Sequence, residues 1–253
     1  QAQLTDDFAF LAGCNLGSES MAPEKIERLH RIAGQTWQRH FNDRLGLVPA
    51  ELKLYVDPAP VLPVTEYVLA DKPQHLVPRS DRRNLDPKWR FQVKVPEYLY
   101  NHGEIYNLSI GRGTLNEEER YKINEHVMHT LIMLEQLTWP KNMKRVPEYA
   151  GAHHETMVGR GYPRKLEATQ LSYPCRIMAI ADIFEALTAS DRPYKQAKTL
   201  SESIRILAQF KKERHIDPDL FDLFLTSGVY QRYAEKYLFA EQIDKVDIRP
   251  YLG

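Results

Sequence analysis

The chain has 253 residues and 43% hydrophobic content, enough to bury a core in one large domain or two small ones. Its 34 basic and 34 acidic residues cancel, which excludes nucleic-acid binding driven by bulk charge and leaves only a local patch. No apolar run approaches the ~20 residues of a membrane span, and residues 1–10 carry Asp6 and Asp7 without the basic region of a signal peptide.

In chain order, residues 24–46 read as a helix: Ile26, Leu29, Ile32, Ala33, Trp37 and Phe41 keep helical spacing and Gly46 follows. Over residues 58–96, Pro58, Pro60, Pro63, Pro73, Pro78, Pro87 and Pro96 interrupt every helical pattern, which predicts a long irregular segment. From Thr114 the pattern becomes regularly helical. Thr114 or Asn116 is the expected cap, and Glu117, Glu118 and Glu119 suit the positive end of the helix dipole. Ile123, Val127, Leu131, Leu134 and Leu137 form an apolar stripe that ends before Pro140. A second helix is expected from about Val146 to Glu155, closed by a turn at Gly159 and Gly161, and a third from about Pro174 to Ser190. Further helices fit 200–212, 217–227 and 230–238. With no sustained two-residue alternation and no repeat, the predicted fold class is all-α. Residues 1–95 read as a divergent N-terminal helical part that packs on or completes the core, and 96–253 as the main helical domain.

Four residues on these predicted helices form a candidate ligand set: His126, His153, His154 and Asp182. Asp182 lies among apolar neighbours in Ile180-Ala181-Asp182-Ile183-Phe184. A buried lone carboxylate is costly unless it is paired or binds a cation. Neighbours on a helix point about 100° apart, so His153 and His154 suit two adjacent ions, or one ion and one substrate oxygen. Imidazole with carboxylate suits Fe, Mn, Zn or Ni without selecting among them. The bland alternative is that each histidine is an ordinary hydrogen-bonded residue and that Asp182 caps a helix or pairs with Arg176.

The ordered motifs decide between these. His153-His154-Glu155, then Gly159-Arg160-Gly161-Tyr162-Pro163, the run Arg176 to Thr188, and Ser190-Asp191-Arg192-Pro193-Tyr194-Lys195 follow Leu115-Asn116-Glu117-Glu118-Glu119, Ile123 and His126. Over about residues 94–225 the chain resembles the HD-GYP family of metal-dependent phosphohydrolases. The resemblance implies an HD-type helical core with additional GYP helices, a centre of two or three metals, and hydrolysis of the bacterial second messenger cyclic di-GMP in signal transduction. It places His126, His153, His154 and Asp182 on metal-ligand positions, Gly161 and Tyr162 in the GYP turn near substrate, and Arg192 and Lys195 against substrate phosphates. A guanidinium fork and an ammonium suit a phosphodiester.

The chain departs from the family at its defining His-Asp pair and the lysine that follows. Pro87-Lys88-Trp89-Arg90-Phe91-Gln92-Val93-Lys94 stands there instead, and Val158 replaces the aspartate before the first glycine of the turn. Without the bridging aspartate, the sharing of water between two cations is lost. Without the lysine, a cation for the developing phosphate charge is lost. His30, His40, Asp43 and His75 are the candidate replacements, His40 and Asp43 as an i, i+3 pair on one helix face.

Two readings follow. One is an HD-GYP-type signalling domain with an incomplete site, one metal ion or none, and weak or no hydrolysis, which binds a nucleotide or meets a signalling protein through the GYP loop at Arg160 and Arg164. The other is an active phosphodiesterase for cyclic di-GMP or a related phosphate ester. Cys14 and Cys175 read as reduced thiols of a cytoplasmic protein. A first residue other than Met is what a piece of a longer chain would show.

Overall fold

The structure, a computed structural model, describes residues 2–80, 86–190 and 197–253, the side chains of Ser18 and Glu19 excepted. The chain divides into two compact units, residues 1–82 with 94–123 and residues 83–93 with 124–253.

The first unit begins with α1 (Ala2–Asn15), β1 (Ser18–Ser20), α2 (Pro23–Ala33), β2 (Thr36–Arg39) and the single turn α3 (Pro49–Leu52). It continues through β3 (Val64–Tyr67), β4 (Leu76–Pro78), β5 (Tyr98–Asn101), α4 (Glu104–Leu108) and β6 (Arg112–Gly113). The strands form three two-stranded antiparallel ladders, β1 with β6, β2 with β3 and β4 with β5. The helix expected over residues 24–46 therefore stops at Ala33, and Thr36–Arg39 pairs with Val64–Tyr67. Arg39 accounts for much of this outcome. It is 2% exposed and donates to Glu66 on the partner strand at 3.0 Å, a charge pair that a continuous helix would not form. His40 thus follows a strand, and Asp43 faces Arg39 at 3.6 Å, so the anticipated helical His40–Asp43 pair does not exist.

The long helix α5 (Glu117–Leu134) has residues in both units. Its start is a capping box. Asn116 Oδ1 accepts from the Glu119 amide at 2.8 Å, and Glu119 returns the bond to the Asn116 amide at 3.0 Å. Val127, Met128 and Leu131 are buried, whereas Ile123 and Leu137 from the predicted stripe are 53% exposed.

The second unit carries α6 (Val146–Gly151), α7 (Tyr173–Thr188), α8 (Leu200–Lys212), α9 (Pro218–Thr226) and α10 (Val229–Tyr237), the all-α arrangement expected. Thr199 and Glu202 cap α8 reciprocally. Asp217 caps α9, accepting from the Asp219 and Leu220 amides, and also receives Arg176 at 2.9 Å. Arg176 is therefore engaged by Asp217, not by Asp182. Ile180 and Phe184 of α7 pack with Ile204, Leu207, Phe221 and Leu225 in the main core. That packing fixes the rotation of α7 and so decides which face Asp182 presents.

Candidate metal centre

Two close approaches bring the histidines together. Gly151 ends α6 directly against α5: a Cβ there would lie 2.2 Å from Leu131 Cδ2, so only glycine permits the approach without displacing that side chain. His126 lies on α5, just over a turn before Leu131. Ala152, buried with Leu171 and Cys175, then anchors the turn that presents His153 and His154. These two histidines follow α6 and are not on it, because the helix expected to reach Glu155 stops at Gly151. The helical argument against their sharing an ion consequently does not apply.

One ligand nitrogen from each of His126, His153 and His154 lies within 4.8 Å of the others, and this is the group of potential metal ligands found among the described residues. Nitrogens bound to one ion at about 2.1 Å each sit about 3 to 4 Å apart, so modest closure suffices. His30, His40, Asp43 and His75 do not join the group. His75 has its Nδ1 on the Lys72 amide at 3.3 Å.

The rings are arranged for ligation. His153 Nδ1 is 2.8 Å from the Ala150 carbonyl; a proton held there leaves Nε2 as the lone pair. The His154 ring is centred 4.2 Å from that of His153 and 5.2 Å from that of His126. Burial, reinforced by His153, pushes the His154 imidazole down to about 4, so it is neutral near pH 7, the form that binds a cation.

Asp182 faces the same place. Its Oδ2 is 3.8 Å from His154 Nδ1, beyond hydrogen-bond reach, and its side chain is 42% exposed. The sequence suggests a buried carboxylate; the structure instead puts Asp182 at the rim, where water pays its solvation. The donor set, three imidazoles with a carboxylate beside them, fits a divalent transition metal of the Fe, Mn, Zn or Ni type.

The GYP turn closes over His154. Gly161 is buried, and a Cβ there would lie 2.4 Å from Glu155 Cα and 2.5 Å from the His154 carbonyl oxygen. The Tyr162 amide donates to that carbonyl at 3.2 Å, and the Tyr162 ring stacks on the His154 imidazole at 4.7 Å. Burial and the Asp182 charge push the phenol up to about 12, so it remains a hydrogen-bond donor. Val158, at the usual aspartate position, bridges Glu167. Arg192 and Lys195 lie outside the described residues.

Two contributors lie outside the candidate ligand set, although Glu155 belongs to the His153-His154-Glu155 motif. Glu155, 2% exposed, accepts from the Arg164 amide at 2.7 Å and the Leu166 amide at 2.9 Å and so ties the turn to the histidine pair; burial raises its pKa against those hydrogen bonds. Residues 89–92 run along the turn: the Gln92 amide donates to the Pro163 carbonyl at 2.7 Å. The signal for Glu155 was its place in the motif. Gln92 carried none.

An HD-domain family model matches residues 63–220. A 3'3'-cGAMP-specific phosphodiesterase of Vibrio cholerae is 37% identical over 123 residues, 49% of this chain and 27% of the relative. A cyclic di-GMP phosphodiesterase of Pseudomonas aeruginosa is 40% identical over 79 residues, 31% of this chain and 18% of the relative. The cyclic di-GMP phosphodiesterase response regulator RpfG of Xanthomonas campestris is 34% identical over 138 residues, 53% of this chain and 35% of the relative. The matched stretch thus spans well under half of each of these relatives. The chain belongs to the HD-domain family, and its relatives and motifs alike are consistent with the HD-GYP phosphohydrolases.

Proposed function

We propose that this chain is an HD-GYP-type signalling domain that holds one divalent transition metal on His126, His153 and His154, with Asp182 beside it, and binds a cyclic dinucleotide that it hydrolyses weakly or not at all. The observation that carries this reading is the convergence of three imidazoles, next to a segment, Trp89 to Gln92, that brings backbone and aromatic groups to the turn and no carboxylate or histidine. When bound, the ion supplies Lewis-acid activation of a phosphate ester. The chain's own part is to orient: the Ala150 carbonyl sets the His153 ring, and the Tyr162 phenol donates towards a ligand on the His154 face. Arg192 and Lys195 are proposed as phosphate contacts. Lacking the family's bridging aspartate and its lysine, the site is expected to turn over slower than a complete one by at least about 10² to 10³.

The second reading, an active phosphodiesterase, is favoured by the preset His153 ring. Metal analysis of protein purified without a histidine tag, paired with cyclic di-GMP binding and product analysis, separates the two. About one ion per chain with nucleotide binding and little linear product supports the proposal. Two or more ions with rapid linear product establish the second reading. No metal and no nucleotide binding sink both.

Asp182→Ala provides a graded check. Because this carboxylate is partly exposed and 3.8 Å from His154, its loss is expected to weaken metal affinity by about tenfold, the scale of a supporting group. Unchanged affinity in a metal titration would remove Asp182 from the set. No helix among the described residues is long and apolar enough to cross a membrane, and Cys14 and Cys175 are both free; the proposed setting is the cytoplasm. A signalling partner at the GYP loop would meet Arg160, which is exposed.

A further inference from the structure

Arg164 looks, in sequence, like a surface cation for a partner. The structure uses it internally. Its Nε donates to the Trp89 carbonyl at 2.9 Å, and its Nη2 donates to Glu135 Oε1 at 2.9 Å. Its amide donates to Glu155 Oε1 at 2.7 Å, and its carbonyl accepts from Gln92 Nε2 at 3.0 Å. The guanidinium carbon lies 5.8 Å from the centre of the Phe91 ring. One residue therefore joins the segment at 89–92, the region just after α5, and the carboxylate adjacent to His154.

We propose that Arg164 is a positioning residue for the nucleotide side of the site, holding the Gly161–Tyr162 turn so that the phenol stays over His154. The chemistry requires a planar fork. Two acceptors of different type, a carbonyl and a carboxylate, are reached from separate nitrogens in one plane, which an ammonium cannot reproduce with the same geometry. The side chain is 24% exposed; its bond to the Trp89 carbonyl is partly buried and holds the turn, whereas the exposed bond to Glu135 adds the smaller contribution of a surface pair. The neighbouring backbone contact, Gln92 amide to Pro163 carbonyl, depends on the same registration. Lacking the family's His-Asp pair, residues 89–92 contribute here as a brace for the turn.

The inference rests on the proposed nucleotide-binding reading for its functional consequence, and on geometry alone for its structural one. The test compares Arg164→Ala, Arg164→Lys and the core variant Phe221→Ala in the full chain. The readouts are metal content, cyclic di-GMP affinity, the ring-to-ring nuclear Overhauser effect between His154 and Tyr162, and hydrogen exchange of the Gln92 amide. In Arg164→Ala the ring contact is expected to weaken and the Gln92 amide to exchange faster. Cyclic di-GMP affinity should fall by about tenfold, the equivalent of one hydrogen bond to the ligand, with metal content unchanged. Arg164→Lys is expected to recover part of the affinity, and it carries the same readouts should the alanine variant not fold. Phe221→Ala, buried in the main core, should lower thermal stability while leaving the ring contact intact. An intact ring contact and wild-type affinity in Arg164→Ala overturn the proposal, as does Phe221→Ala reproducing the same changes. If the wild-type chain does not bind cyclic di-GMP, the functional reading falls, and the ring contact and amide exchange alone decide the positioning role.

Discussion

His154→Ala is expected to reduce divalent metal content from about one ion per chain to background. This ring is the hub of the site: it neighbours His153 and His126, stacks on Tyr162 and faces Asp182. Supporting groups around a metal cost about 10- to 100-fold in affinity when removed, so removal of a ligand that also anchors the turn exceeds that range. Stability should change little by comparison. A neutral, partly buried imidazole with no side-chain hydrogen bond among the described residues contributes on the order of 1 kcal/mol, within reach of urea denaturation. His129→Ala is the matched control. It lies on the same helix as His126, is exposed, and stands apart from the cluster; its metal content should equal that of the wild type. Full metal occupancy in His154→Ala by elemental analysis would move the ion elsewhere and remove the basis of the proposed function.

What the sequence made legible follows from where the physics is local. The helices α7 to α10 were anticipated within a residue or two because capping residues and apolar spacing agree there. Thr199 with Glu202, and Asp217 ahead of Pro218, announce their helices chemically. The spacing over 24–46 predicts a helix because Trp37 and Phe41 continue a helical rhythm by coincidence. In the structure they are 42% and 55% exposed, and the segment is claimed by a strand partner at 64–67 that no local window contains. The same holds for the site. Identities and order of the ligand candidates were legible, but the depth of Asp182 was not. Its apolar neighbours belong to the opposite face of α7, where Ile180 and Phe184 enter the core, and only the rotation of that helix reveals the difference. The roles of Glu155 and Arg164 were equally hidden, since Glu155 acts on the Arg164 and Leu166 amides and Arg164 on a carbonyl and a carboxylate far along the chain, to which sequence gives no address.

Gly161→Ala is expected to have the largest combined effect on stability and site. The added Cβ would meet Glu155 Cα at 2.4 Å, the His154 carbonyl oxygen at 2.5 Å and the Glu155 carbonyl carbon at 2.7 Å. All three are backbone atoms, so no side-chain rotation relieves the overlap. Either the 154–155 backbone moves, carrying the His154 ring with it, or the turn lifts and the Tyr162 amide loses its bond to the His154 carbonyl. Overpacking costs about 1 to 3 kcal/mol, and the broken hydrogen bond adds about 1 kcal/mol. Together they predict a fall in melting temperature of roughly 5 to 15 °C for a chain of this size. Both routes also separate Tyr162 from His154, so nucleotide affinity and metal affinity should drop together. Tyr162→Phe provides the contrast: it keeps the ring over the imidazole and removes only the phenol, so it should weaken the nucleotide while leaving metal content and melting temperature near wild type. If Gly161→Ala melts like the wild type and binds cyclic di-GMP as well, the turn does not pack on the histidine pair, and the site loses the element that places its phenol.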